Sequence, residues 1–303
     1  MTNERGTQMS RYAVVGFGNA GYQAVKAIRE QDIHAWIDVY SDRSFPPANP
    51  MLTTYYARGT LKYQAMFPYG TVESIVDRCG IHFYPGKRVS HLDAEHRTLI
   101  LEDGTQSGYD AILIATGASA FVPGAQGMDL QNVLTIRTVE DAVRLKSILD
   151  RGEAESVVVA GASMTGIKIA ELARMKHLKC CMFDGAEYMF PLAAYRSTAE
   201  RIETYLRQQG IQLAFSSFLE KIEQENGRLT AVMKNGTRYA GDVIAVCIGT
   251  RANTQIVKDT GIQINKGILA DRKMRTNFDG IYAAGDCAEG YELQSKARVP
   301  IGL

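Results

Sequence analysis

No two cysteines in this chain are spaced to work together. Cys79, Cys180, Cys181, Cys247 and Cys287 form no CxxC or CxxxxC pair. Adjacent Cys180 and Cys181 would face opposite sides of a strand. A zinc site and a disulfide framework are therefore not expected, and the thiols read as small buried hydrophobes. No apolar run approaches the ~18 residues that span a bilayer, so no membrane partner is expected. Neither sign of charge is in excess. The 34 Lys and Arg stand against 33 Asp and Glu, for a net charge of +1. The basic stripe of a nucleic-acid binder is missing. His34, His82, His91, His96 and His177 lack metal-ligand spacing, and His91 and His96 flank a hairpin at the surface. Met1 to Ser10 is polar and has no apolar signal-peptide core. Residues 1–10 read as a flexible tail, and a cytoplasmic protein is expected.

What is present is an ordinary globular composition, 46% hydrophobic and 22% charged, over 303 residues. That length exceeds what one hydrophobic core fills, so two domains are expected. There is one long-range echo. Arg11 to Val15 is a short apolar run ending at Gly16, and Ser156 to Ala160 repeats it, ending at Gly161. Ala20, Ala24, Val25 and Ile28 follow at helical spacing in the first, and Ile167, Ala170, Leu172 and Ala173 in the second. Each helix leads to another strand, Ala35 to Tyr40 and Lys179 to Phe183. The pattern is strand, glycine turn, helix, strand, twice over. Asp103-Gly104 and Asn235-Gly236 mark hairpins. Ala111 to Ala115 and Val243 to Ile248 read as strands buried on both faces of a parallel sheet. Glu140 to Leu149 and Thr198 to Gln209 read as helices. The class is α/β: two Rossmann-like domains, the second inserted into the first. The boundaries fall at 11–122 with 247–303 for the first and 123–246 for the second.

Gly16-Phe17-Gly18-Asn19-Ala20-Gly21 is a complete GxGxxG between a strand and a helix. Its glycines permit the tight turn, the approach of a pyrophosphate and close helix–strand packing, and the helix N-terminus favours phosphate. The acidic residue for the ribose hydroxyls should end the next strand. Ser41 holds that place, Asp42 and Arg43 follow, and Asp42 is the preferred candidate. Gly161-Ala162-Ser163-Met164-Thr165-Gly166 is a variant with Ser163 in the middle place, where its hydroxyl could face phosphate. Asp184 ends the second strand of this unit. A carboxylate there accepts from ribose hydroxyls and repels a 2′-phosphate, which favours NAD over NADP despite nearby Arg174 and Lys179.

Thr276 to Asp286 closes with Gly285-Asp286. This segment resembles the second FAD fingerprint of the pyridine nucleotide-disulfide oxidoreductase superfamily. Tyr109-Asp110 through Ala115-Thr116-Gly117 resembles its YDxxxxATG segment. Ile248-Gly249-Thr250-Arg251-Ala252-Asn253 resembles its GxRPN segment, with Ala252 where proline is usual. The resemblance implies an FAD domain with an inserted NAD domain. It places Asp286 against the ribityl and phosphate part of FAD, and the backbone at Arg88 and Val89 against adenine. It implies hydride transfer from NADH to the flavin. No side chain is expected to act as a catalytic acid or base.

The departures shape the reading further. Single-cysteine members have S-F-A-N-C-G-L-P-Y-Y where this chain has Phe45 to Tyr56, and Pro50 stands in the cysteine's place. The ferredoxin-, rubredoxin- and nitrite-reductase-like branch has R-P-x-L-S-K there, whose Arg and Lys are Asn49 and Thr54 here. Lys168 replaces a glutamate expected near the nicotinamide, and reads equally as a phosphate or carboxylate contact or as a solvated residue. Tyr55, Tyr56 and Tyr63 either line a flavin pocket or pack. The C-terminal interface domain usual in the family does not follow Asp286, so a partner chain supplying it is one expectation. The function expected is an NADH-dependent flavoenzyme passing electrons to a separate acceptor, a small redox protein. The alternative is a nucleotide-binding or assembly subunit that is idle without a C-terminal partner.

Overall fold

The computed structural model describes residues 9–191, 193–292 and 297–300. Residues 1–8 of the expected tail lie outside them. The chain forms two compact units. Unit 1 comprises the described residues of Met1–Asn49, Phe67–Ser119 and Arg251–Leu303; unit 2 comprises those of Pro50–Met66 and Ala120–Thr250.

The described residues include six α-helices: α1 (Asn19–Gln31), α2 (Thr53–Arg58), α3 (Val72–Cys79), α4 (Val139–Asp150), α5 (Met164–Met175) and α6 (Arg196–Gln208). Each unit is built on a five-stranded parallel sheet. In unit 1 the order is Ile281–Ala283, Ala111–Ile114, Arg11–Val15, Trp36–Ser41, His82–Pro85. In unit 2 it is Gln212–Ala214, Lys179–Phe183, Ser156–Ala160, Val243–Val246, Val133–Thr135. The strand ahead of each glycine turn is therefore central, with connections leaving to both sides. The carboxyl end of such a strand is where open α/β sheets bind ligands. Each unit adds an antiparallel three-stranded sheet, with Asp103-Gly104 in the hairpin of unit 1 and Asn235-Gly236 in that of unit 2.

The central strands are apolar because both faces are covered. In unit 1, Val14, Val25, Ile37, Val39 and Ile75 close one layer, and Ala13, Leu92, Leu99, Ile112 and Ile281 the other. In unit 2, Val157, Val159, Ile169, Leu172 and Leu145 form one layer, and Val158, Phe183, Ile222, Leu229 and Ile244 the other. Each Val, Leu, Ile or Phe side chain among these contributes about 1.5–3 kcal/mol by leaving water. Thr138 and Asp141 form a reciprocal cap that starts α4.

The units depart from the boundaries read in the sequence at residues 50–66, 120–122 and 247–250. Residues 50–66, expected in the first domain, belong to unit 2. The short helix α2 packs there because Ala57 enters the apolar core and Arg58 pairs with Glu171 at 3.1 Å. Thr53 and Thr54 are buried with it.

Candidate functional site

The two glycine turns have the same geometry. Gly16 N–H donates to Tyr40 O at 2.8 Å, and Gly161 N–H donates to Phe183 O at 2.8 Å. Both first glycines hold a left-handed φ, 105° and 108°. A Cβ at Gly16 would lie 2.2 Å from Ala115 O, and one at Gly161 2.4 Å from Cys247 O. The turn thus needs glycine for its dihedral and for the strand beside it. Gly21 and Gly166 let α1 and α5 close on their turns, where a Cβ would meet Gly16 O or Gly161 O at 2.1 Å.

In unit 1 a Cβ on Gly18 would meet nothing within 4 Å. Gly18 caps α1 without a side-chain bond, and the first turn holds no acidic residue. The open cradle and uncapped amides suit a pyrophosphate. Asn19 accepts a hydrogen bond from the Tyr69 hydroxyl. Gly285 comes to the same place from far along the chain: a Cβ there would lie 2.8 Å from the Ala20 methyl. Half-buried Asp286 follows it. The segment after Ala111–Ile114 is clamped, since Thr116 Oγ1 donates to Asn253 O at 2.6 Å and Asn253 Nδ2 returns a bond to Thr116 O at 2.9 Å. Asn253 N–H also donates to Gly117 O, and Ala115 N–H to Val15 O. Val89 is buried, while Arg88 is exposed and lies 3.8 Å from Glu102.

Register decides the strand-end position. Tyr40 and Phe183 each accept from the first glycine, so Ser41 is the counterpart of Asp184. Ser41 is buried and its Oγ accepts from Arg43 N–H at 3.0 Å. Asp42 lies one residue on, exposed, with its carboxylate 3.5 Å from Arg43 Nε.

In unit 2, Ser163 is the N-cap of α5. Its Oγ accepts from Gly166 N–H at 3.1 Å and donates to Cys247 O at 2.8 Å. A hydroxyl has one proton, and Cys247 O takes it. In the middle-glycine place the serine caps its own helix. Met164 and Thr165 form the first turn, Met164 being exposed. Asp184 Oδ2 accepts from Ala162 N–H at 2.7 Å and Oδ1 from Ala186 N–H at 2.8 Å. The carboxylate is tied to the glycine turn and keeps lone pairs for further donors. Gly249 is exposed and its carbonyl accepts from Phe121 N–H.

The α2 residues find their partners within unit 2. Tyr55 carries Arg58 at 4.9 Å and Lys168 at 5.1 Å from its ring centre, and Tyr56 meets Tyr63 edge-on at 5.9 Å. Lys168 is thus a cation–π partner. Thr54, in the place of the branch's lysine, is buried.

These two turns lie within a stretch matched by a family model. The model for pyridine nucleotide-disulphide oxidoreductases covers residues 10–299. The chain belongs to this family. It is 28% identical over 284 residues to the NADH oxidase of Methanocaldococcus jannaschii, covering 92% of this chain and 63% of that protein. It is 25% identical over 283 residues to the rubredoxin-NAD(+) reductase of Alcanivorax borkumensis, covering 93% and 73%. The water-forming NADH oxidase from Lactobacillus brevis, solved bound to NADH, superposes with a TM-score of 0.90 at 26% identity, over 97% of this chain and 66% of that one. The chain thus spans just under two thirds of the archaeal relative.

In this family member the thiols are unpaired. All five cysteines are free, and Cys79, Cys180, Cys247 and Cys287 are buried. Burial pushes the thiols of Cys180, Cys181 and Cys247 up to about 12, and raises that of Cys287. A thiol so raised is a poor nucleophile at neutral pH. Pro50 opens a short 3-10 turn and offers no sulfur. No group of three His, Cys, Asp or Glu among the described residues could hold a metal. No described helix is long and apolar enough to cross a membrane. Sequence reasoning passed over Ala162, Cys247 and Asn253, which act through backbone atoms or amide bonds. The motifs containing Ala162 and Asn253 carried a signal, but not these individual residues.

Proposed function

We propose that the chain is the nucleotide-binding body of an NADH-dependent flavoenzyme that passes electrons to a separate redox protein. Unit 1 is proposed to hold FAD through Gly16, Gly18, Asn19, Ala20 and Gly21 at the turn. Ser41, Asp42 and Arg43 serve its adenosine end, with the backbone at Arg88 and Val89. Ala115, Thr116, Gly117, Gly285 and Asp286 serve the remainder. Unit 2 is proposed to hold NADH through Gly161, Ser163, Met164, Thr165, Gly166, Asp184 and Gly249. Bound together, the cofactors supply the redox chemistry, a hydride from NADH and a flavin to receive it.

The chain's own residues bind and orient. The amides of α1 and α5 face phosphate, and Asp184 accepts from ribose hydroxyls and disfavours a 2′-phosphate. The observation that carries the proposal is the doubled turn geometry, one copy open at Gly18 and joined by Gly285, the other tied to Asp184. The acceptor is assigned as a redox protein because four thiols are buried and none is paired. The relative named rubredoxin-NAD(+) reductase supports that choice. Five free thiols and the use of NADH support a cytoplasmic location.

The test is the visible spectrum of the protein purified with FAD. A flavin envelope that survives gel filtration is expected. In Gly18→Val, which fills the open cradle, it should be lost without loss of folding. A colourless wild-type protein would overturn the assignment.

A further inference from the structure

Phe218 is an exposed aromatic ring on a fixed backbone, and nothing above uses it. It is 56% exposed, and among the described residues it stacks on no other ring. Its loop is bonded directly to the end of the strand that carries Asp184. Asp184 N–H donates to Ala214 O, Ser216 N–H to Ala186 O at 2.8 Å, and Ser217 N–H to Asp184 O at 2.8 Å. On its far side Phe218 O accepts from Lys234 N–H at 2.9 Å. Ser216 holds a left-handed φ of 51°, a cost that these bonds sustain. The ring lies against Gly185: a Cβ there would meet Phe218 Cε1 at 2.7 Å. Gly185 follows Asp184 directly, and lacking a side chain it leaves room for the ring.

We infer that Phe218 is the stacking platform for the purine base of the dinucleotide whose ribose Asp184 receives. This rests on the NADH reading of unit 2 and adds a base-recognising residue to it. Exposing an apolar ring to water is unfavourable, and a flat base is a complementary cover. The rigid loop spends little ordering entropy when the base arrives. Ile248, also exposed, adds a second apolar group at the glycine turn, its Cγ2 lying 3.1 Å from the Cβ position of Gly161.

The experiment is calorimetric titration of the FAD-loaded protein with ADP-ribose, beside reduction by NMNH, which lacks the adenosine half. In Phe218→Ala the Kd for ADP-ribose should rise about 5- to 150-fold, the usual effect of removing an aromatic ring under a base. The NMNH rate and the melting temperature should hold. Phe218→Trp should keep the affinity. Gly185→Ala, which displaces the ring, should weaken ADP-ribose in the same direction. If wild type binds ADP-ribose and Phe218→Ala binds it equally well, the platform is refuted while the NADH reading stands. If Phe218→Ala loses both responses together with its melting temperature, the ring is structural and the inference fails. If wild type does not bind ADP-ribose, the NADH reading fails and takes the platform with it.

Discussion

Replacing Asp184 with alanine should erase the coenzyme preference. Its carboxylate is anchored at 2.7 Å and 2.8 Å by the amides of Ala162 and Ala186, so it cannot swing away from an incoming group. A phosphate on the hydroxyl that it receives would stand roughly 5 Å off. Two unit charges at that separation repel by about 3 kcal/mol at an effective dielectric of about 20. Partial exposure and salt reduce this to about 1.5–3 kcal/mol. The wild type should therefore favour NADH over NADPH in kcat/KM by roughly 10- to 150-fold. In Asp184→Ala the KM for NADH should rise as its ribose hydroxyls lose their acceptor, kcat/KM for NADPH should improve as the repulsion is relieved, and the preference should fall within about threefold. The two amides also lose their acceptor, at about 1–3 kcal/mol of stability. Asp184→Asn keeps one acceptor and drops the charge, so it should lose less stability but the same selectivity. Steady-state kinetics with both coenzymes, paired with urea melts, checks this. A wild type that prefers NADPH, or an Asp184→Ala that weakens both coenzymes equally, would refute the reasoning.

Ser163→Ala should cost about 1 kcal/mol in urea melts through the lost cap, yet leave the KM for NADH within about threefold, because the hydroxyl proton belongs to Cys247 O; a tenfold rise would restore the phosphate contact. Asp38, buried at 1% exposure, accepts from Trp36 Nε1 and the Tyr109 hydroxyl at 2.8 Å each, and Asp38→Ala should cost about 1–3 kcal/mol by leaving these donors unpaired, read directly by fluorescence of Trp36, the only tryptophan. Burial opposes the charge of Asp242, but bonds from the Ser156 side chain and the amides of Glu155 and Ser156 hold its carboxyl below the usual range. Its contribution is then complete above about pH 4 and is lost as pH falls further, so Asp242→Asn should flatten the acid limb of a stability profile between about pH 4 and 2 and leave pH 7 to 9 parallel to wild type.

Much of the fold was legible because the central strands are apolar on both faces and end in glycine. Arg11–Val15, Ser156–Ala160 and Lys179–Phe183 have the bounds their apolar runs suggest. Edge strands were not legible. His82–Pro85 and Gln212–Ala214 are short and half-covered, so they carry no apolar run. Helices α2 and α3 are short as well, and α2 is held by Arg58 and Ala57 rather than by a periodic face. The glycine turns and Asp184 were visible because the phosphate and ribose contacts proposed for them demand particular residue types. The role of Ser163 was not, since a serine that caps a helix and one that faces a phosphate read alike. Phe218 gave no signal, because what singles it out is its exposure and its contact with Gly185, which only the folded chain shows.

The central claim is a flavin that takes electrons from NADH with no thiol behind it. Anaerobic titration of the FAD-loaded protein with NADH, followed by visible absorbance, tests it most directly. Bleaching that is complete at about one equivalent of NADH per flavin is the predicted result, since a flavin alone accepts one hydride. A flavin that neither NADH nor NADPH bleaches, or one that needs about two equivalents because a thiol pair shares the electrons, would contradict the account.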